Sequence, residues 1–218
     1  LKEIDLSCSS VRTLTFVGHG EPGGIEAGGM NIVSLGRLKE FSCLIENNVQ
    51  VRFNGCNIGR SCQGRLFLYQ AARTLIPSSG TVTAPAGYLF ANVVFNFNFS
   101  TSGWSTLSYQ STPVPKLSWQ KKEDSISQCA QDYNEGVDHL NKLFSSPQTR
   151  ECLLSAAGTN LLNQLNSTTD IYRRIAIHDL TVSDQQVYDT AENHLFLELT
   201  LSALKKCHKT NPKLSQGR

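Results

Sequence analysis

The sequence predicts an α/β fold in which a mostly parallel sheet, flanked by helices, is followed by a C-terminal α-helical domain. Up to about residue 115, short apolar runs alternate with helical patterns and turn residues. Beyond residue 120 the chain becomes rich in Gln, Asn, Leu and Glu, with apolar residues at helical spacing. With 218 residues, 39% of them hydrophobic, the chain is long enough to bury a sizeable core.

A strand, a helix and a second strand begin the predicted sheet. Residues 11–17 and 49–53 are short apolar runs rich in β-branched and aromatic side chains. Between them, residues 34–45 show a helical pattern that places four apolar residues on one face. These residues are Leu35, Leu38, Phe41 and Ile45. The order strand, helix, strand is the unit from which parallel sheets are built.

Spacing and turn residues predict the remaining elements of the first part. A second helical pattern runs to residue 75 and stops before Pro77. Residues 81–84 form a third short strand. Residues 93–99 alternate apolar and polar side chains, and residues 106–110 are predicted to pair with them as a hairpin.

The best linker candidate is the segment 111–116. Its two prolines, Pro113 and Pro115, disfavour both a helix and a central strand. The sequence therefore predicts two domains, residues 1–115 and residues 116–218.

Three helices are predicted in the second domain. The first spans residues 126–144 after a cap at Asp124 or Ser125, the second begins near Pro147, and the third spans residues 184–207. The third helix is predicted to pack through a stripe of apolar residues, namely Val187, Ala191, Leu195, Leu199 and Leu204.

Charge and hydropathy favour neither nucleic acid nor a membrane as a partner. The net charge is +2 and no long block of like charge occurs. No apolar run approaches the ~20 residues that a membrane-spanning helix needs. The chain begins at Leu1, with neither an initiator Met nor an apolar signal segment, so a fragment or a processed product is expected.

The seven cysteines are spread through predicted strands and helices and contain no Cys-x-x-Cys pair. Disulfide frameworks and zinc sites usually show tighter spacing. The set is therefore typical of a reduced, intracellular protein, with Cys62 as a packing residue. Glycosylation-type triplets at Asn98 and Asn166 receive little weight, because such triplets often arise by chance.

Two predicted strands each end at a reactive side chain beside glycine, His19 and Cys56. A cysteine between a strand and a helix lies near the positive end of the helix dipole, which favours the thiolate. If the strands are neighbours, His19 can act as base or proton donor, and the amides of Gly20 and Cys56 can form an oxyanion hole. The plain alternative is a buried structural cysteine, because free cysteine is among the most buried residue types.

Other chemistries fit these residues less well. A phosphatase loop needs an arginine six residues after the cysteine, where this chain has Cys62. A nucleotide P-loop needs a Gly-Lys-Ser/Thr ending, which the glycine-containing segment 55–64 lacks. A zinc site from His19, Cys56 and Cys62 has no fourth ligand at characteristic spacing. The sequence therefore predicts neither a metal nor an organic cofactor.

These motifs resemble those of the caspase-like cysteine peptidase clan, which includes caspases, clostripain, gingipains, separase and the CHAT domains. The closer resemblance is to bacterial CHAT-like domains and covers roughly residues 10–90. It is carried by Val-Gly-His-Gly-Glu-Pro-Gly at 17–23, Asn-Gly-Cys-Asn-Ile-Gly at 54–59 and Thr-Val-Thr-Ala-Pro-Ala at 81–86.

This resemblance implies an α/β sandwich that hydrolyses a peptide bond in a protein substrate. It further implies that Cys56 is the nucleophile, that His19 is its partner, and that the amides of Gly20 and Cys56 form the oxyanion hole. Each of these roles coincides with the one that the strand-end pattern predicts.

The chain departs from the pattern of the clan at two places. Only eighteen residues precede His19, so a partner chain or a missing segment is expected to complete the sheet. The helical region after residue 120 does not resemble a second caspase-like half. By analogy, these departures point to a bacterial toxin or effector that acts in a reducing cytosol, or else to a cytoplasmic enzyme.

Two other functions stay open. A catalytically silent caspase-like binding module would keep the His/Cys pair without using it, and its helices would carry the function. An acyltransferase would use the same dyad to modify its target rather than to shorten it.

Overall fold

Five strands form the main sheet in the computed structural model, which describes residues 11–90, 99–100, 103–110, 116–121, 125–145, 155–179 and 181–210. In chain order, the strands are β1 (Val11–Val17), β2 (Gly20–Glu21), β3 (Gly24–Ile25), β4 (Met30–Asn31), β5 (Ile45–Asn54), β6 (Ser79–Pro85), β7 (Leu89–Phe90), β8 (Phe99–Ser100), β9 (Trp104–Gln110) and β10 (Lys116–Trp119). The helices are α1 (Ser61–Leu75), α2 (Ile126–Phe144), α3 (Ser155–Ala176) and α4 (Asp184–Thr210), and 3-10 helices span Ala27–Gly29 and Ser34–Leu44.

The strand order in the main sheet is β1-β5-β6-β9-β10. Strands β1 and β6 run parallel to β5, whereas β9 runs antiparallel to both of its neighbours, β6 and β10. The predicted α/β class is confirmed, but the sheet is mixed, with two parallel and two antiparallel pairings, and not mostly parallel as predicted. Strand β10 follows β9 after a short connection, which antiparallel neighbours allow because they need no crossover helix.

The segment between β1 and β5 is a 3-10 helix, Ser34–Leu44, and not an α-helix. Its apolar residues lie three positions apart, which places them on one face of a helix with three residues per turn. These residues are Leu35, Leu38, Phe41 and Leu44. Ile45, which was predicted on the helical face, is instead the first residue of β5 and is buried.

Strand β9 contains the predicted strand 106–110 but lies between β6 and β10. Its predicted partner, residues 93–99, lies mostly outside the described residues. Strand β10 continues the sheet past residue 115, so the predicted domain boundary does not coincide with the edge of the sheet.

Helix α2 begins and ends at the predicted residues. The hydroxyl oxygen of Ser125 caps it by accepting a hydrogen bond from the N–H of Gln128 at 3.1 Å. Ser125 is therefore the cap residue, as one of the two alternatives predicted.

Helix α4 is buried along a different stripe from the predicted one. Val187, Ala191 and Leu204 are buried, but Leu195 and Leu199 are 40% and 60% exposed. Four-residue steps turn the face by about 40° each, because a helix has 3.6 residues per turn. The buried face therefore changes to three-residue steps and takes in His194 and Leu197.

Helices cover one face of the main sheet. On β5, Val49, Val51 and Phe53 are fully buried, whereas Gln50 and Arg52 on the opposite face are exposed. Across the sheet, the strand register aligns polar side chains of the other strands with Gln50 or with Arg52. These side chains are Thr13, Thr15, Thr81, Thr83, Thr106, Ser108 and Ser118. Within the described ranges no helix packs on this second face, so the sandwich that the resemblance implies is not seen there.

Helix α1 joins the sheet to the C-terminal helices. It contacts β6 and β9 on one side and α2 and α4 on the other. Twelve of its fifteen residues are buried. The sheet and the helices consequently share one hydrophobic core, and the change of composition near residue 115 does not separate two cores.

Among the helices in the part of the chain that the structure describes, none is both long and apolar enough to cross a membrane.

Candidate active site

Cys56 and His19 lie at the ends of neighbouring strands. In the parallel pair β1 and β5, Val17 lies beside Asn54, and the N–H of Gly18 donates to the carbonyl oxygen of Asn54 at 3.2 Å. Each candidate residue follows two positions after this pair. The predicted adjacency of the two strand ends is therefore confirmed.

The backbone at these strand ends is packed too closely for larger residues. A β-carbon at Gly20 would lie 2.5 Å from Ile58 Cγ1 and 2.7 Å from the carbonyl oxygen of Cys56. A β-carbon at Gly55 would lie 2.6 Å from the carbonyl oxygen of Gly18. Glycine at positions 20 and 55 thus lets the two strand ends lie directly against each other.

A tight turn of residues 56–59 follows β5 and leads to α1. Asn57 and Ser61 adopt left-handed backbone conformations, with φ of 61° and 62°. Such a conformation costs a residue with a side chain about 1 kcal/mol, although asparagine tolerates it better than most. Helix α1 begins five residues after Cys56, so an effect of its dipole on the thiol stays a prediction.

Three hydrogen bonds connect this turn to β6, β9 and the loop after β6. The N–H groups of Asn57 and Gly59 donate to the carbonyl oxygens of Gly87 and Pro85 at 2.8 and 2.9 Å. The buried hydroxyl of Ser105 donates to the carbonyl oxygen of Gly59 at 3.1 Å. Ser105 could not be found from the sequence, because no local pattern relates it to a turn that lies 46 residues upstream.

Cys56 is half-buried and is not part of a disulfide. Its sulfur accepts a hydrogen bond from the backbone N–H of Leu89 at 3.4 Å. Among the described residues, no hydrogen bond from the N–H of Cys56 is seen. A backbone N–H beside a nucleophile is one component of an oxyanion hole.

His19 is exposed, and its carbonyl oxygen accepts a hydrogen bond from the N–H of Glu26 at 2.8 Å. His19 borders a cavity of about 430 Å³, which is also lined by Gly20, Glu21, Ile25, Glu26 and Met30. Within the described residues, no hydrogen bond joins the ring to the sulfur of Cys56. The structure thus places the two backbone segments together, and no hydrogen bond joins the two side chains among the described residues.

The predicted oxyanion pair, Gly20 and Cys56, is close in space. The β-carbon position of Gly55 lies 3.1 Å from the nitrogen of Gly20, so this amide lies against the peptide that precedes Cys56. Convergence of both N–H groups on one point stays a prediction.

Cys62 forms a disulfide with Cys129, which corrects the prediction of a fully reduced set of cysteines. Cys62 is buried, as a packing residue would be, but it also links the first turn of α1 to α2. Sequence spacing could not indicate this pair, because the two cysteines are 67 positions apart and meet only when both helices pack.

Three further histidines lie in or just after the C-terminal helices. His178 lies just after the end of α3, and His139 is exposed. His194 is buried, and Nδ1 of its ring lies 3.1 Å from the hydroxyl of Tyr172.

The described residues contain no group of three or more His, Cys, Asp or Glu side chains arranged to hold a metal ion.

No protein-family model, curated protein or solved structure matches this chain. The resemblance to the caspase-like clan therefore rests on the sequence motifs.

Proposed function

We propose that this protein is a cysteine endopeptidase that uses Cys56 and His19 to hydrolyse a peptide bond in a protein substrate. The observation that carries the proposal is the pairing of β1 with β5, which brings the His19-Gly20 and Gly55-Cys56 segments into contact. A nucleophile and its acid–base partner on adjacent segments meet the first requirement of covalent catalysis.

The reaction would proceed in two stages. The thiolate of Cys56 attacks the peptide carbonyl carbon, and the carbonyl oxygen becomes an oxyanion held by the N–H groups of Cys56 and Gly20. His19, which carries the proton taken from the Cys56 thiol, protonates the departing amine, the C–N bond breaks, and a thioester remains. Water, deprotonated by His19, then attacks the thioester and releases the new carboxyl terminus and the thiol.

The exposed position of His19 is compatible with this sequence of steps. The histidine protonates the leaving nitrogen of a peptide that lies between the two side chains, so it need not contact the sulfur beforehand. The cavity beside His19 offers a substrate side chain a place to bind, with the buried Ile25 and Met30 as its apolar floor.

A survey of new peptide termini tests the proposal. We expect the wild-type protein and the Cys43→Ala control to generate the same new termini in a protein mixture, and Cys56→Ala and His19→Ala to generate almost none. Cys43 is a suitable control because it is exposed and is not part of a disulfide. Identical termini from the wild-type protein and Cys56→Ala would contradict the proposal.

A binding module is the second candidate, and the free edge of β1 favours it. Among the described strands, β1 pairs with β5 alone and ends the sheet. Beside it lies an apolar cavity of about 270 Å³, lined by Leu14, Phe16, Leu38, Phe41 and other apolar residues. A strand from a partner chain, or from a further segment, would extend the sheet here. New termini that do not depend on Cys56 would favour this candidate.

The compartment in which the protein is proposed to act must be compatible with the Cys62–Cys129 disulfide. A role as a bacterial toxin or effector rests on the resemblance. The Cys62–Cys129 bond favours an oxidising compartment over the reducing cytosol that the sequence predicts, because cytosolic reductants keep most thiols reduced.

A further inference from the structure

The Cys62–Cys129 disulfide lies directly behind the turn that carries Cys56. Cys62 is the second residue of α1, and α1 follows this turn after Arg60. We infer that the disulfide positions the turn of residues 56–59 and makes the reactivity of Cys56 depend on the thiol redox state. The effect on the turn follows from the fold, whereas the effect on catalysis rests on the proposed function.

The first turn of α1 packs against both candidate segments. A β-carbon at Gly64 would lie 2.4 Å from the carbonyl oxygen of Ile58, so the helix backbone lies directly on the turn. On the other side, the N–H of Gly23 donates to the same oxygen of Ile58 at 3.1 Å, and its β-carbon position is 3.1 Å from the carbonyl oxygen of Gln63. Gly23 lies four residues after His19. A shift of the first turn of α1 would therefore move the supports of both His19 and Cys56.

The segment from this turn to the start of α1 needs such a support because its backbone is strained at two residues. Asn57 and Ser61 hold left-handed conformations that relax readily when the surrounding structure loosens. The disulfide ties the residue after Ser61 to Cys129, which is fully buried in α2. Arg65 adds a second link between the same helices, since its Nη1 donates to the sulfur of Cys129 at 3.3 Å.

A dithiol reductant is the co-reactant that opens this link. One thiolate of the reductant attacks a sulfur of the disulfide, forms a mixed disulfide and releases the other cysteine as a thiolate. The second thiol of the reductant then displaces the bound cysteine and closes a cyclic disulfide, so two electrons pass to the protein. Cys62 and Cys129 are 5% and 0% exposed, so the reaction requires α1 and α2 to separate.

Hydrogen exchange of the double variant Cys62→Ala/Cys129→Ala tests the inference without reference to activity. We expect the amides of residues 56–64 to exchange at least ~10-fold faster than in the wild-type protein, while those of residues 49–53 in β5 change less than about twofold. The matched control, Cys43→Ala, should behave as the wild-type protein. Unchanged exchange at 56–64, or an equal increase in both segments, would overturn the inference, because the disulfide would then have no particular effect on the turn.

Reduction of the wild-type protein gives a second measurement if the double variant does not fold. After treatment with a dithiol, mass spectrometry distinguishes molecules with the disulfide from molecules without it. Amide exchange of residues 56–64 and of residues 49–53 is then compared between the two forms. We expect iodoacetamide to alkylate Cys56 about fivefold more slowly in the reduced molecules, because the N–H of Leu89 no longer faces the sulfur. Equal or faster alkylation would contradict the inference.

The two proposals fail in different ways. If exchange and alkylation change as expected but the wild-type protein generates no new peptide termini, the proposed function is wrong and the positioning role stands. If the protein cleaves peptides and the turn is unaffected by loss of the disulfide, the positioning role is wrong. In an active protein, we expect loss of the disulfide to lower kcat more than it raises KM, because the groups that it positions act in the transition state.

Discussion

At the residue scale, the candidate site depends on its glycines as much as on its reactive side chains. Gly20 and Gly55 allow the two strand ends to touch, and Gly59 allows the next turn to lie against β6, where a β-carbon would be 2.9 Å from the carbonyl oxygen of Ala84. The sequence has a glycine beside each reactive residue and predicted a donor at Gly20. The close backbone contacts were not predictable, because they involve residues about 25 to 40 positions apart.

Gly20→Ala tests this close packing. The added methyl group would overlap Ile58 and the backbone of Cys56, so we expect the free energy of unfolding to fall by about 1–3 kcal/mol. Gly24→Ala is the matched control, because its β-carbon would make ordinary contacts at 3.5 Å and should cost less than about 1 kcal/mol. Urea denaturation of both variants measures the difference, and equal losses would show that the close approach at Gly20 is unimportant.

Alkylation rates test whether Cys56 is activated. Cys43 is exposed and Cys56 is half-buried, so accessibility alone predicts faster alkylation at Cys43. We expect the reverse order, and His19→Ala should slow the reaction at Cys56 roughly tenfold. Peptide mapping after brief exposure to iodoacetamide gives both rates. Faster labelling at Cys43, or no effect of His19→Ala, would favour a structural cysteine.

At the element scale, spacing identified the helices and strands better than it identified their buried faces. The apolar residues of Ser34–Leu44 lie three apart and form a 3-10 helix. In α4, the four-residue spacing predicted Leu195 and Leu199 on the buried face, but both are exposed. Both errors arise because apolar spacing constrains a face only to within a few tens of degrees.

The end of α3 forms a junction with the sheet around His178. The ring of His178 packs edge-on against Tyr69 of α1 and Tyr109 of β9, with centroids 5.7 and 5.5 Å apart. Burial and the guanidinium of Arg73 lower the pKa of His178 from its ordinary value. The folded state therefore favours the neutral ring at the place where α3 meets the sheet.

We expect this junction to lose stability in mild acid. Above pH 6.5, His178 is neutral in both states and its full contribution is present; as the pH falls below about 6.5, the unfolded state binds a proton that the folded state resists. Asp179 does not interfere, because hydrogen bonds from Thr181 and Arg174 lower its pKa to about 2.

The variant His178→Asn is the appropriate comparison, since asparagine tolerates the left-handed backbone at this position, where φ is 61°. Urea midpoints at pH 7.5 and 5.5 should fall more in the wild-type protein than in the variant. Parallel falls in both proteins would assign the acid sensitivity to other groups.

At the scale of the whole molecule, one core and one disulfide unite two parts of different composition. Helix α1 contacts the sheet on one side and the C-terminal helices on the other, and Cys62–Cys129 links it to α2. The composition of the chain changes near the predicted domain boundary at residue 115, but the residues on both sides of it pack into one hydrophobic core. The same arrangement leaves a polar sheet face and the edge of β1 without a partner among the described residues.

The sequence by itself determined the elements and the neighbourhood of the two strand ends. Val11–Val17, the helical range that ends at Leu75 and a cap at Asp124 or Ser125 all follow from residues a few positions apart, which is the distance over which backbone preferences and apolar spacing act. The position of His19 beside Cys56 followed because a parallel strand–helix–strand unit brings strand ends together.

Only the tertiary structure decided which distant groups meet. The partner of Cys62, the donor Leu89 at the sulfur of Cys56, and the place of β9 between β6 and β10 each depend on contacts across 20 to 70 residues of chain. Such contacts depend on how the whole core packs, and no local pattern encodes them. For that reason the sequence indicated the candidate pair, whereas the structure revealed the strained turn beside Cys56 and the disulfide that we infer to position it.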